Sequence, residues 1–168
     1  MDLFLLRHAE AAPLNETNHF LDEKRALTDE GKKQSREVGQ GLKVLGVKLD
    51  LIAASPLVRA RQTAEFVLNM LDCAEPVAIW EELAPGVKPG LLLERIKDSP
   101  AQDSILLVGH EPDMGLLASY FLTGNLNAAI PFKKAGLCRM RLQGLSPFLP
   151  GELKWMLTPK ILALAGKK

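Results

Sequence analysis

The chain has 168 residues, 21 basic against 20 acidic, a net charge of +1 and 47% apolar content, which suits one domain with a sizeable core and argues against a general nucleic-acid-binding surface. Two cysteines, Cys73 and Cys138, exclude a disulfide framework and lack the paired spacing of a zinc or redox motif, so they read as small core residues in a reducing compartment. No run reaches the about 18 uninterrupted apolar residues of a membrane span, and acidic Asp2 stands where a secretion signal would be basic; the expectation is a single cytoplasmic domain over residues 1–168, monomeric, with no membrane partner.

The first strand is expected over residues 2–6, where Leu3, Phe4, Leu5 and Leu6 form an apolar run that ends abruptly at Arg7 and His8. A helix follows from Thr28 to about Gly46, with Val38, Leu42 and Leu45 on one face. After a second strand over 50–54, Ser55 as N-cap and Pro56 as first helical residue open a second helix, in which Ala60, Ala64, Val67, Leu68 and Leu71 recur at helical spacing. A shorter helix is expected around 91–97 after Pro89. The strand over 104–108 then repeats the punctuation of the first, ending at Gly109 and His110. Another helix runs from Pro112 to about Leu122, before Gly124. In "LCRMRL" and, more loosely, in "LKWML", apolar and polar residues alternate as in a closing pair of strands joined by "GLSPFLPGE". Strands alternating with helices predict an α/β domain with a largely parallel sheet and an antiparallel edge.

Ligands of such sheets bind beyond the carboxyl ends of the strands. Arg7, His8, His110 and the corner from Ser55 to Arg59 all lie at such ends, so neighbouring strands would bring them into one pocket. Arg7 and Arg59 offer planar forks for phosphate oxygens, and the helix start adds backbone N–H groups; each charge-assisted contact is worth about 1.5–3 kcal/mol. Imidazole beside a bound phosphoryl group suggests a nucleophile: neutral His8 can attack phosphorus and form a phosphohistidine that water hydrolyses. Nearby guanidinium charges help keep His8 neutral, and His110 can donate to the equatorial oxygens in the transition state. The scheme requires no metal or other cofactor, and a metal bound by His8 and His110 lacks an obvious third and fourth ligand. A second reading of the same residues is a module that binds phosphate or a phosphorylated partner without turnover.

The segments "RHAEA", "RALTDEG" (Arg25 to Gly31), "SPLVRARQT" and "GHEPD" occur in the order seen in the histidine phosphatase superfamily, or phosphoglycerate mutase-like fold, and the chain resembles that family over residues 1 to about 123. Within it, the short length and motif wording look most like the bacterial SixA-type phosphohistidine phosphatases. The resemblance implies a three-layer αβα architecture, His8 as nucleophile, a phosphate pocket completed by Arg7, Arg59 and His110, and Arg25 at its rim. It also implies a phosphohistidine-bearing protein, such as a phosphotransfer domain, as substrate. Ala9 stands where the wider superfamily has glycine, a small residue at a close backbone approach. Many relatives carry a general-acid glutamate inside a long insertion. Here "WEELAPGVKPG" offers Glu81 and Glu82 near the corresponding place, and Glu111 is another candidate proton donor.

Other readings are plainer. Arg25 has an ion pair with Asp22 or Glu23 as its alternative, Glu111 an acid's favourable position before a helix, and Arg59 solvation on the helix surface, the reading given to Arg61. His19 reads as a loop residue, and Trp80 and Trp155 as packing groups. A small phosphate ester remains the alternative substrate. The absence of a long insertion argues against the enclosed pocket a phosphoryl-group mutase needs.

Overall fold

A computed structural model describes residues 1–14, 19–71, 73, 75–99, 102–146 and 149–165, with residues 19–21 as backbone only. The elements run β1 (Asp2–Arg7), α1 (Asp29–Val44), β2 (Leu51–Ala54), α2 (Val58–Leu68), β3 (Ala78–Ile79), α3 (Pro89–Lys97), β4 (Ser104–Gly109), α4 (Asp113–Thr123), β5 (Leu137–Arg141), β6 (Glu152–Leu157) and α5 (Pro159–Ala165). Two 3-10 turns, His19–Lys24 and Glu81–Leu83, lie between them.

The strands form one sheet in the order β3-β2-β4-β1-β5-β6. Pairing is parallel from β3 to β1 and antiparallel from β1 through β5 to β6. The central strands are apolar without interruption because both of their faces are covered. Leu3, Leu5, Ile105 and Leu107 pack with Leu92, Ile96, Leu117 and Phe121 of α3 and α4. Phe4, Leu6, Leu106 and Val108 face the opposite way, onto Val38, Leu42, Ala64, Val67 and Leu162 of α1, α2 and α5. These are the three layers of the expected αβα architecture. The chain steps from β1 past the place of β4 to β2, and β4 later fills the gap, so the carboxyl ends of β1 and β4 border the crevice where strand order reverses.

Local chemistry fixes the helix ends. Thr28 caps α1 by accepting the Gly31 N–H at 3.1 Å, and a Cβ on Gly31 would overlap the Glu10 carbonyl oxygen, so glycine there lets α1 abut the segment after His8. Gly124, at φ 74°, ends α4 in the left-handed region. No helix among the described residues is long and apolar enough to cross a membrane.

Four expectations change. Ser55 is not the N-cap of α2, and Pro56 is not its first residue: the helix begins at Val58 behind Leu57, with no side-chain cap. Ser55 instead continues the line of β2, its N–H donating to the Val108 carbonyl at 3.0 Å. The two-residue β3 and the seven-residue α5 are additional elements, too short for periodicity to mark. His19 begins a 3-10 turn rather than lying in a loop, and its side chain is outside the described residues, as are residues 147–148 of the connection between β5 and β6. Both tryptophans pack: Trp80 is buried beneath the Arg95 guanidinium, and Trp155 meets Phe4 edge to face.

Candidate active site

His8 follows β1 and His110 follows β4, and because these strands are neighbours in register the rings lie 5.0 Å apart between centroids. Both are buried, at 7% and 3% exposure, as is Arg59 at 5%. His8 is held by backbone from two sides. Its N–H donates to the Gly109 carbonyl at 2.9 Å, and its carbonyl accepts the Ala135 N–H at 3.2 Å. Ala135 adopts φ 53°, which a non-glycine residue rarely takes up and which points to a tightly constrained site.

The His8 ring has a defined tautomer. Its Nδ1 lies 2.7 Å from the Ala9 carbonyl oxygen, which can only accept, so Nδ1 carries the proton and Nε2 presents its lone pair. Arg59, the second residue of α2, donates its Nε–H to that lone pair at 3.3 Å. Burial, opposed by the Ala9 hydrogen bond and aided by the charges of Arg59, Arg7 and Arg25, brings the His8 pKa down to about 4. Ala9 is itself fully buried and donates its N–H to Thr63 of α2 at 3.1 Å, which locks the His8 segment to the helix carrying Arg59.

His110 Nε2 pairs with the Ser55 hydroxyl at 2.8 Å, while Nδ1 is buried without a protein partner. Burial, followed by the charges of His8 and Arg59, lowers its pKa to about 3. Arg7 donates from Nη1 to the Phe132 carbonyl at 2.7 Å, and its buried Nε–H also lacks a partner. Two orphaned groups beside a bare imidazole nitrogen are what a tetrahedral oxyanion would satisfy.

The structure thus brings His8, His110 and Arg59 together, with Arg7 beside them. Arg25 stands further out, its Nε on the Ala12 carbonyl and its Nη1 on Asp22, so the ion-pair alternative holds for its side chain while its charge still acts on His8. Glu111 is committed to the backbone: Oε1 accepts the Phe132 N–H at 3.4 Å, and Oε2 is buried without a partner. Glu82 is half-buried in the 3-10 turn after β3 and bonds to none of the four site residues. Among the described residues no cluster of three or more His, Cys, Asp or Glu side chains has the arrangement of a metal site.

Two roles escaped the sequence reading. Asp22, seen only as a partner for Arg25, also receives both terminal nitrogens of Arg59, at 2.8 Å on its carbonyl and 3.1 Å on Oδ2. Ser55, read as a helix cap, serves His110. The spacing of Asp22 and Arg25 was a visible signal for one contact; the others join residues 37 and 55 positions apart and left none.

A doubly wound sheet whose strand ends hold a neutral imidazole among guanidinium groups defines a phosphohydrolase-like class of protein, and comparison with known proteins agrees. Residues 3–84 match the model of the histidine phosphatase superfamily, branch 1. The chain is 35% identical over 144 residues to an uncharacterised protein of Picosynechococcus, covering 84% of this chain and 85% of that one. It is 29% identical over 126 residues to the phosphohistidine phosphatase SixA of Escherichia coli K12, covering 74% and 76%. The structure of the protein histidine phosphatase SixA complexed with tungstate superposes with a TM-score of 0.81 at 26% identity, over 96% of this chain and 99% of that one. The chain belongs to the histidine phosphatase superfamily, whose phosphatases are hydrolases that act without metal ions, and within it is of the SixA type.

Proposed function

We propose that the protein is a phosphohistidine protein phosphatase that works through a covalent phospho-His8. The observation that carries this reading is the pinned tautomer of His8, whose bare Nε2 faces the Arg59 Nε–H in a buried pocket. The likeness to SixA supplies the substrate class.

In this reaction the Nε2 lone pair of His8 forms a bond to phosphorus as the bond from phosphorus to the substrate's ring nitrogen breaks. The departing imidazole takes a proton from solvent, which its reference pKa of about 6.5 allows near neutrality. Arg59 turns its Nε–H from the lone pair to a phosphoryl oxygen, and the free Nε–H of Arg7 meets another. With Ser55 donating to Nε2, the neutral ring of His110 carries its proton on Nδ1 and offers it to the equatorial oxygens. Water then attacks phosphorus, the bond to Nε2 breaks, and phosphate leaves with His8 neutral again.

The partner in this reading is a phosphohistidine-bearing protein such as a phosphotransfer domain. The test is rapid quenching with labelled substrate, together with a panel of phosphohistidine, phosphoserine and small sugar phosphates. Acid-sensitive phosphohistidine on the wild type, absent from His8→Ala, is expected, with the highest kcat/KM on phosphohistidine. Undiminished label on His8→Ala rejects the nucleophile; preference for a small ester moves the protein to the phosphomonoesterases, and stoichiometric anion binding without released phosphate makes it a binding module.

A further inference from the structure

Beside the catalytic pocket a groove of about 620 Å³ runs between the loop before β5 and the start of α5. Exposed Pro131 and half-buried Pro159 contribute its apolar surface above buried Phe132, and Lys133, Lys134 and Lys160 stand exposed around it. Arg7 belongs to both places: it lines the groove, and its Nη1 holds the Phe132 carbonyl. Phe132 is tied to the site a second time, its N–H donating to Glu111 directly after His110. The groove is therefore rigidly connected to the catalytic residues.

Its charge is local. The whole chain carries a net +1, and some lysines elsewhere sit with carboxylates, Lys32 with Asp29, Lys97 with Glu94 and Lys154 with Glu152, whereas the groove gathers three without one. None of the three groove lysines has an ion-pair partner among the described residues, and no carboxylate lines the groove. An unneutralised cationic rim around an apolar surface complements an acidic protein face presenting an apolar side chain. A phosphate group alone needs only the pocket beyond Arg7 and would leave the groove empty.

We propose that this groove docks the acidic surface flanking the phosphorylated histidine of a folded partner protein, and so selects phosphoproteins over free phosphorylated small molecules. The inference rests on the phosphohistidine reading above. Binding at the groove would be realised before chemistry begins, so it acts mainly on encounter and KM, and it weakens with salt because the rim is solvent-exposed.

The experiment compares the full chain with Lys133→Glu/Lys134→Glu/Lys160→Glu and with the corresponding triple arginine variant. The probes are a kinase-charged phosphotransfer domain of acidic surface and the free amino acid phosphohistidine. The glutamate variant is expected to lose about tenfold or more in kcat/KM on the phosphoprotein, chiefly through KM, with the loss shrinking between about 50 and about 500 mM salt. It should stay within about twofold of wild type on free phosphohistidine, and the arginine variant should match wild type on both probes. Equal losses on the two probes, or no loss on the phosphoprotein, overturn the docking role while leaving the phosphohistidine reading in place. Failure of the wild type to turn over either probe removes that reading and the docking role with it.

Discussion

The two ends of β1 both carry arginine clusters, and they solve the same electrostatic problem in opposite ways. At the amino end Asp2, paired in register with Arg141, accepts Arg139 Nη2 at 2.7 Å and Arg141 Nε and Nη2 at 2.6 and 3.0 Å. Burial alone would raise the Asp2 pKa, but the hydrogen bonds from Arg141 and Arg139 outweigh it and hold the carboxyl below its usual range. Arg139 also lies over the Phe4 ring at 5.6 Å. There the anion is part of the chain. At the carboxyl end Arg59 and Arg25 share one partly exposed carboxylate, that of Asp22, Arg7 holds only the Phe132 carbonyl, and the Arg7 Nε–H and His110 Nδ1 are buried without partners. Arg139 Nε is also buried without a partner, so the difference lies in the carboxylates: a cluster in which each guanidinium holds a carboxylate of its own chain serves the fold, whereas one in which Arg7 holds none is suited to an external anion.

Mutation at the two ends separates these roles most sharply. Arg59→Ala is expected to lose about 30- to 1000-fold in kcat/KM, the equivalent of removing about 2–4 kcal/mol of transition-state stabilisation. Arg141→Ala should remain within about twofold. Tungstate, a tetrahedral oxyanion, should raise the Tm of the wild type and not that of Arg59→Ala. Comparable kinetic losses in the two variants would erase the contrast.

Acid should act on the catalytic end first. Unfolded, each buried histidine titrates near 6.5; folded, His8 and His110 titrate at about 4 and about 3. Across the interval from 6.5 down to about 4 the unfolded chain therefore binds more protons, so stability is fully present above it and declines as pH falls through it. The urea midpoint should drop accordingly between neutrality and about pH 5, and the acid limb of kcat/KM, corrected for substrate ionisation, should fall below about pH 5. An acid limb at the ordinary histidine value would contradict the proposal that a buried, neutral His8 is the nucleophile.

At the amino end the expected signature is reversed. Asp2→Ala leaves Arg139 and Arg141 without their acceptor and should cost about 1–3 kcal/mol in denaturant unfolding, with kcat/KM within about twofold of wild type. A large kinetic loss would show that the two ends are coupled through β1.

The smallest effects are expected for the two glutamates. Glu82→Gln and Glu111→Gln should each lose less than about tenfold on phosphohistidine, because the imidazole leaving group needs no dedicated acid. Glutamine at 111 also keeps an acceptor for the Phe132 N–H. A loss beyond about a hundredfold in either variant would assign that residue the proton donor's role and overturn the leaving-group argument.

The central strands, α1, α3 and α4 could be read from the sequence because burial on both sheet faces demands uninterrupted apolar runs, and because Thr28, Pro89 and Gly124 carry their own end signals. His8 and His110 were visible for a related reason: polar residues that end such runs must lie at strand termini. β3 and α5 left no period to detect, and Ser55, with the composition of a helix cap, had no local mark of its bond to a ring 55 residues away.

By itself the sequence determined an alternating α/β chain that delivers two histidines and two arginines to strand and helix ends, since periodicity and end signals are local properties. Only the tertiary structure decided that β4 sits between β2 and β1, which His8 nitrogen is bare, that Asp22 grips Arg59, and that three lysines surround one groove. Those outcomes depend on which distant groups are neighbours once the chain has packed, and hydrogen-bond partners and local fields follow from that proximity rather than from order along the chain.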